Sequence, residues 1–87
     1  MSPVARGGES LTIRERMIVA PSAGIFRLTA LAYCGAFIAE GDEIGVVVGP
    51  GSSQSVLSPF EGTLMGVLAV AGQRLRAGDP IAWLRLA

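Results

Sequence analysis

Very few side chains in this 87-residue chain can do covalent chemistry. It has no histidine and no lysine, and Cys34 is its one cysteine. Without histidine a Cys–His nucleophile pair cannot be built. One cysteine supplies neither a disulfide nor a CxxC centre nor a common zinc site. Cys34 stands before Gly35 among apolar residues and reads as a buried small hydrophobe, since a reactive thiolate needs an accessible, positive setting. Glu40, Asp42 and Glu43 gather at one turn, with Asp79 at an equivalent one. Such carboxylates can hold a divalent cation weakly, but turn capping explains them, and neither a metal nor a cofactor is expected. Ser52, Ser53 and Ser55 offer hydroxyls, and the nearby Gly49-Pro50-Gly51 lacks the downstream Gly-Lys-[ST] of a phosphate loop. Arg27, Tyr33 and Glu61 are the polar groups that a closed cleft would have to use for catalysis, and they contain no evident acid/base pair.

Composition narrows the partners. Apolar residues make up 51% of the chain and charged ones 16%, which excludes a disordered polyampholyte. The exterior must then be unusually apolar, so either the fold is strand-rich or a partner covers part of it. Seven arginines balance seven acids and are scattered without a basic stripe, so nucleic acid has no footprint here. No apolar run approaches the roughly 20 residues of a membrane span, and residues 1–10 lack the apolar core of a signal peptide. A cytoplasmic protein is expected.

The elements that would position any site come in two copies. Residues 19–48 and 57–86 repeat one pattern: Pro21 and Pro59, and Gly24 and Gly62, are 38 apart. One residue is then dropped, and Gly35/Gly72, Gly41/Gly78, Asp42/Asp79 and Ile44/Ile81 are all 37 apart. Each half reads as short strands punctuated by turns. Residues 25–31 and 63–70 alternate enough to be half-buried strands, and 44–48 and 81–86 are the closing ones. The Gly-Asp pairs mark turns, with Asp able to bond its own backbone two residues on. The helical rival, residues 28–39, is interrupted by Gly35. The fold class is therefore all-β: a flattened barrel or sandwich of two pseudo-twofold halves with about four short strands each. One domain is expected over residues 11–87, with a flexible tail over 1–10 and a hairpin at 49–56 between the halves. Trp83 and Phe37 are expected in the core, and Phe60, on the bend beside Glu61, is expected to be exposed.

The doubled pattern resembles the biotinyl/lipoyl attachment domain family, and within it the biotin carboxyl carrier branch. Ala20-Pro21, Gly24, Gly41-Asp42 and Ile44 match its first half; Ser58-Pro59, Gly62, Gly78-Asp79 and Ile81 match its second. The resemblance implies a barrel-sandwich hybrid fold and a central hairpin bearing E-A-M-K-M, whose lysine takes the prosthetic group. Counting nine residues after Asp42, or eight before Pro59, that lysine falls on Gly51, and its flanking methionines on Pro50 and Ser52. The amide to biotin or lipoate needs an ε-amine, so this chain is a degenerate, non-biotinylated relative of the pattern.

The leading functional expectation is a protein-binding, assembly or regulatory module for an enzyme complex, either a carboxylase or a small-molecule biosynthetic enzyme. Pro50, Gly51, Ser52, Ser53 and Phe60 are its candidate contact residues. Two alternatives stand beside it. One is a small-ligand binder or unconventional enzyme with a cleft between the halves; the other is a structural homo-oligomer.

Overall fold

A computed structural model describes residues 14–29 and 32–86. The tail over 1–10, and Leu11 to Ile13 of the expected domain, lie outside the described residues.

Eight strands follow one another. They are β1 (Glu15–Val19), β2 (Gly24–Leu28), β3 (Phe37–Ile38), β4 (Glu43–Gly49), β5 (Ser52–Leu57), β6 (Gly62–Val67), β7 (Arg74–Leu75) and β8 (Pro80–Leu86). No helix occurs among the described residues, so the helical rival over 28–39 is not formed there. Two antiparallel four-stranded sheets result, one in the order β1-β8-β6-β3 and the other β5-β4-β2-β7. They face each other as a sandwich. Exchanging the halves (β1 for β5, β2 for β6, β3 for β7, β4 for β8) turns one sheet order into the other.

The hydrogen bonds obey the same exchange. Gly35 N–H donates to Leu64 O at 2.7 Å, and its counterpart Gly72 N–H donates to Phe26 O at 2.8 Å. Gly41 N–H donates to Ser58 O at 2.7 Å, and Gly78 N–H to Ala20 O at 2.8 Å. Each turn of one half is thus satisfied by a carbonyl of the other, as buried or constrained backbone groups require. The two aspartates cap their turns alike. Asp42 Oδ2 accepts from Ala39 N–H at 2.9 Å, and Asp79 Oδ2 from Arg76 N–H at 2.8 Å. The bond reaches three residues back rather than onward, because the turn brings the earlier amide round to face the carboxylate.

The core is built from equivalent pairs. Ile18/Val56, Phe26/Leu64, Ile38/Leu75, Ile44/Ile81 and Val47/Leu84 are all buried between the sheets. Seven of these ten side chains are β-branched or aromatic, types that suit a pleated, one-sided surface. Volume is balanced within the pairs: a Cβ on Gly45 would meet the Phe26 ring at 2.5 Å, so the half with the larger ring has glycine where the other has Ala82. Close packing of this kind admits no extra methyl without displacement.

Four side chains depart from expectation. Trp83 lies half-buried on the outer face of its sheet and not in the core, because its neighbours Ala82 and Leu84 take the inward places. Phe37 is 61% exposed, because its partner across the β3–β6 ladder is the outward-facing Thr63, and Ile38 takes the inward place. Cys34 is exposed, sitting on the turn before Gly35 rather than in a strand. Phe60 is half-buried against the core, not exposed. Its bend is tightened by the buried Ser58, whose hydroxyl donates to Phe60 O at 2.6 Å and accepts from Phe60 N–H at 3.2 Å.

Candidate functional site

The central hairpin is the feature the sequence singles out. β4 and β5 pair from Gly45↔Val56 to Gly49↔Ser52, leaving Pro50 and Gly51 as a two-residue turn. The strands therefore run right up to this turn. Proline fixes a negative φ at the first turn position, which rules out the type I′ turn common in such hairpins. Gly51 follows at φ +70°, the combination of a type II turn. A Cβ placed on Gly51 would meet nothing within 4 Å, so the position faces open solvent. Below the turn the hairpin is anchored: a Cβ on Gly49 would lie 3.2 Å from Ala23 O.

Pro50, Gly51, Ser52 and Ser53 are exposed together at this tip, with Gln54 and Ser55 beyond them. Phe60 is not part of the group, since it packs against the core. The hydroxyls of Ser52, Ser53 and Ser55 make no hydrogen bond to a base among the described residues. Nothing activates them as nucleophiles, and what the tip offers is shape and hydrogen-bonding capacity.

The catalytic candidates are dispersed. Arg27 is exposed on β2, opposite Val46. Tyr33 is 63% exposed on the turn that ends at Ala36, and Glu61 is exposed just before β6. No hydrogen bond or ion pair joins any two of these three side chains among the described residues. The carboxylates Glu40, Asp42 and Glu43 do not form a metal-holding group there either.

A second surface, not foreseen in the sequence, lies on the outer face of the sheet containing β8. Met17, Trp83 and Gly66 stand in one cross-strand row, and Glu15, Arg85, Thr63 and Phe37 in the next. The Trp83 indole lies across Gly66, where a Cβ would come within 2.6 Å of its Nε1. Trp83, Met17 and Leu68, with Glu15 and Arg16, line an open groove of about 450 Å³. None of Arg27, Tyr33 and Glu61 borders it. Glu15 is held by Arg85 in an exposed ion pair at 3.1 Å, a type of contact that contributes little stability. Strand alternation carried the missing signal: Ala82 and Leu84 point inward, so Trp83 between them must point out. Gly66→Ala is expected to lift the indole from the sheet. Its fluorescence should shift to longer wavelength while stability falls by only about 1 kcal/mol; an unshifted spectrum would contradict the packing described.

Comparison with known proteins bears on the fold. No protein-family model matches the chain, and no curated protein matches it in sequence. Among solved structures it is similar to part of a single-chain, multi-domain long-chain acyl-CoA carboxylase. The TM-score is 0.76 at 23% identity, over 90% of this chain and 8% of that one. It is also similar to an aspartoacylase family protein from Mesorhizobium loti, with a TM-score of 0.63 at 18% identity. That match covers 100% of this chain and 27% of the other. The chain thus spans a small part of each protein, and at these identities the likeness is one of architecture.

Proposed function

We propose that this chain is a carrier-shaped module without a prosthetic group, which docks on or organises an enzyme complex through the tip of its central hairpin. The complex would be a carboxylase or a small-molecule biosynthetic enzyme. The observation that carries this reading is the hairpin itself. Its turn is well formed and solvent-facing at Gly51, where the family resemblance puts the modified lysine, yet the tip has neither an acceptor amine nor an activated nucleophile. A protruding, rigid turn without chemistry of its own remains useful for recognition. Likeness to one segment of a multi-domain acyl-CoA carboxylase supports a fold that works inside a larger enzyme.

The test is affinity purification of the tagged chain from its native host, with identification of what co-elutes. An enzyme acting on acyl-CoA or on a biosynthetic intermediate is expected in stoichiometric amount. Ser52→Arg/Ser53→Arg, which changes only exposed tip residues, should reduce its recovery roughly tenfold, the effect of about 1.4 kcal/mol. An eluate free of enzyme, or equal recovery with the variant, overturns the reading.

A further inference from the structure

The two sheets end on equivalent strands that are protected very differently. β1, at the edge of one sheet, carries Glu15 and Arg16, and its ladder has the same irregularity at its far end (Ile18/Val19) as that of its counterpart (Val56/Leu57). Charges on an edge strand are one of the devices that keep it from pairing with another chain. Its counterpart β5 reads Ser-Ser-Gln-Ser-Val-Leu over 6 residues, with no charge and no proline, and its ladder to β4 is regular from Ser52 to Val56. All but Val56 are exposed. The outward amides and carbonyls of β5 find no partner in turns or loops among the described residues.

We infer that β5 is a self-association edge, pairing antiparallel with β5 of a second copy to join two four-stranded sheets into one of eight strands. Three observations favour a second copy over another chain. A strand without charge meets its own copy without like-charge repulsion, and serine and glutamine side chains can bond across such a pair. The formal net charge of zero removes long-range repulsion between copies. The geometry is also self-consistent. A two-fold perpendicular to the sheet keeps each face on its own side, so opposed residues must share a face. Ser53 and Ser55 point outward with Val48 and Val46, while Gln54 lies opposite the inward Val47. Face matching over the regular stretch then puts Gln54 opposite Gln54 of the second copy, Ser53 opposite Ser55, and Ser52 opposite Val56. One edge pairing of this length falls short of the roughly 1,000 Å² of a stable interface, so the dimer is weak and concentration-dependent.

Sedimentation of the purified chain over a wide concentration range tests this, independently of any enzyme partner. The wild type is expected to rise toward twice the monomer mass at high concentration. Gln54→Lys, which opposes two like charges on the axis, should weaken the dimer about tenfold or more. Met17→Lys on β1 should leave it unchanged. In a Cys34→Ser background, Gln54→Cys should form a disulfide-linked dimer faster than Ser53→Cys, because only position 54 faces itself. Far-UV circular dichroism checks that each variant is folded. A wild type that stays monomeric, a dimer abolished by Met17→Lys, or cross-linking equally fast at 53 and 54 overturns the inference.

Discussion

Alanine at Gly62 and at Gly24 is expected to cost about 3 kcal/mol each, at the upper end for overpacking, and the double variant should be largely unfolded at room temperature. The cause is backbone, which cannot swing aside as a side-chain tip can. A Cβ on Gly62 would collide with the Arg85 carbonyl, with Leu86 Cα only 3.0 Å away. A Cβ on Gly24 would lie 2.5 Å from Val48 O and 2.8 Å from Val47 Cγ1. Both glycines begin strands that run between two others, so yielding would break ladders on each side. A small domain has only about 5–15 kcal/mol of net stability to lose. Gly72→Ala is the control. Its φ of +91° disfavours a side chain, but nothing lies within 4 Å of the added methyl, and about 1 kcal/mol is expected. Urea unfolding followed by Trp83 fluorescence and circular dichroism measures all three. Equal midpoints for Gly62→Ala and Gly72→Ala would show that close approach of strands is not what these positions require.

The second large effect is a gain. Rebuilding the tip with Val48→Glu, Gly49→Ala, Pro50→Met, Gly51→Lys and Ser52→Met is expected to convert a chain that no biotin ligase labels into one labelled to near completion. Streptavidin blotting and intact mass read the outcome. Space favours it, since no atom lies within 4 Å of a Cβ at Gly51. Removing Pro50 frees the turn from the φ that proline imposes, and lysine at positive φ costs about 1–2 kcal/mol. The tightest change is Gly49→Ala, whose methyl sits 3.2 Å from Ala23 O and needs a shift of a few tenths of an ångström. Gly51→Lys alone isolates the acceptor amine from the flanking residues and should be labelled more slowly. A rebuilt, folded chain that stays unlabelled would remove the support for a carrier-shaped frame.

Most of the strand plan was legible because it is written twice. The Pro/Gly and Gly-Asp positions locate turns by backbone requirement, and the spacing between halves locates each strand relative to its counterpart. Burial was less legible where alternation has no length to act on. β3 has only 2 residues, so its sequence does not say whether Phe37 or Ile38 points inward. The ladder to Thr63 and Gly62 decides it. Cys34 has apolar neighbours yet is exposed, because it sits on a turn. Phe60 is half-buried because the Ser58 hydroxyl ties down its bend, a contact that local sequence does not announce. The tip at Pro50–Gly51 was marked by the Gly-Pro-Gly run and by the register that the family resemblance implies, but the extent of β5 beyond it was not, since Ser-Ser-Gln-Ser is weakly strand-forming in isolation. Its ladder to the valines of β4 supplies what local preference lacks.

The crossed bonds from Gly35 to Leu64 and from Gly72 to Phe26 make the two halves depend on each other. The turn amides of Gly35, Gly41, Gly72 and Gly78 all take their acceptors from the opposite half, so neither half is complete in hydrogen bonding by itself. A half expressed alone is therefore expected to fold only by pairing with a second copy, and the short Pro50-Gly51 turn supplies that partner within one chain. Within one chain the two halves need not be alike, and their outer edges differ: one carries Glu15 and Arg16, the other the uncharged Ser52, Ser53, Gln54 and Ser55.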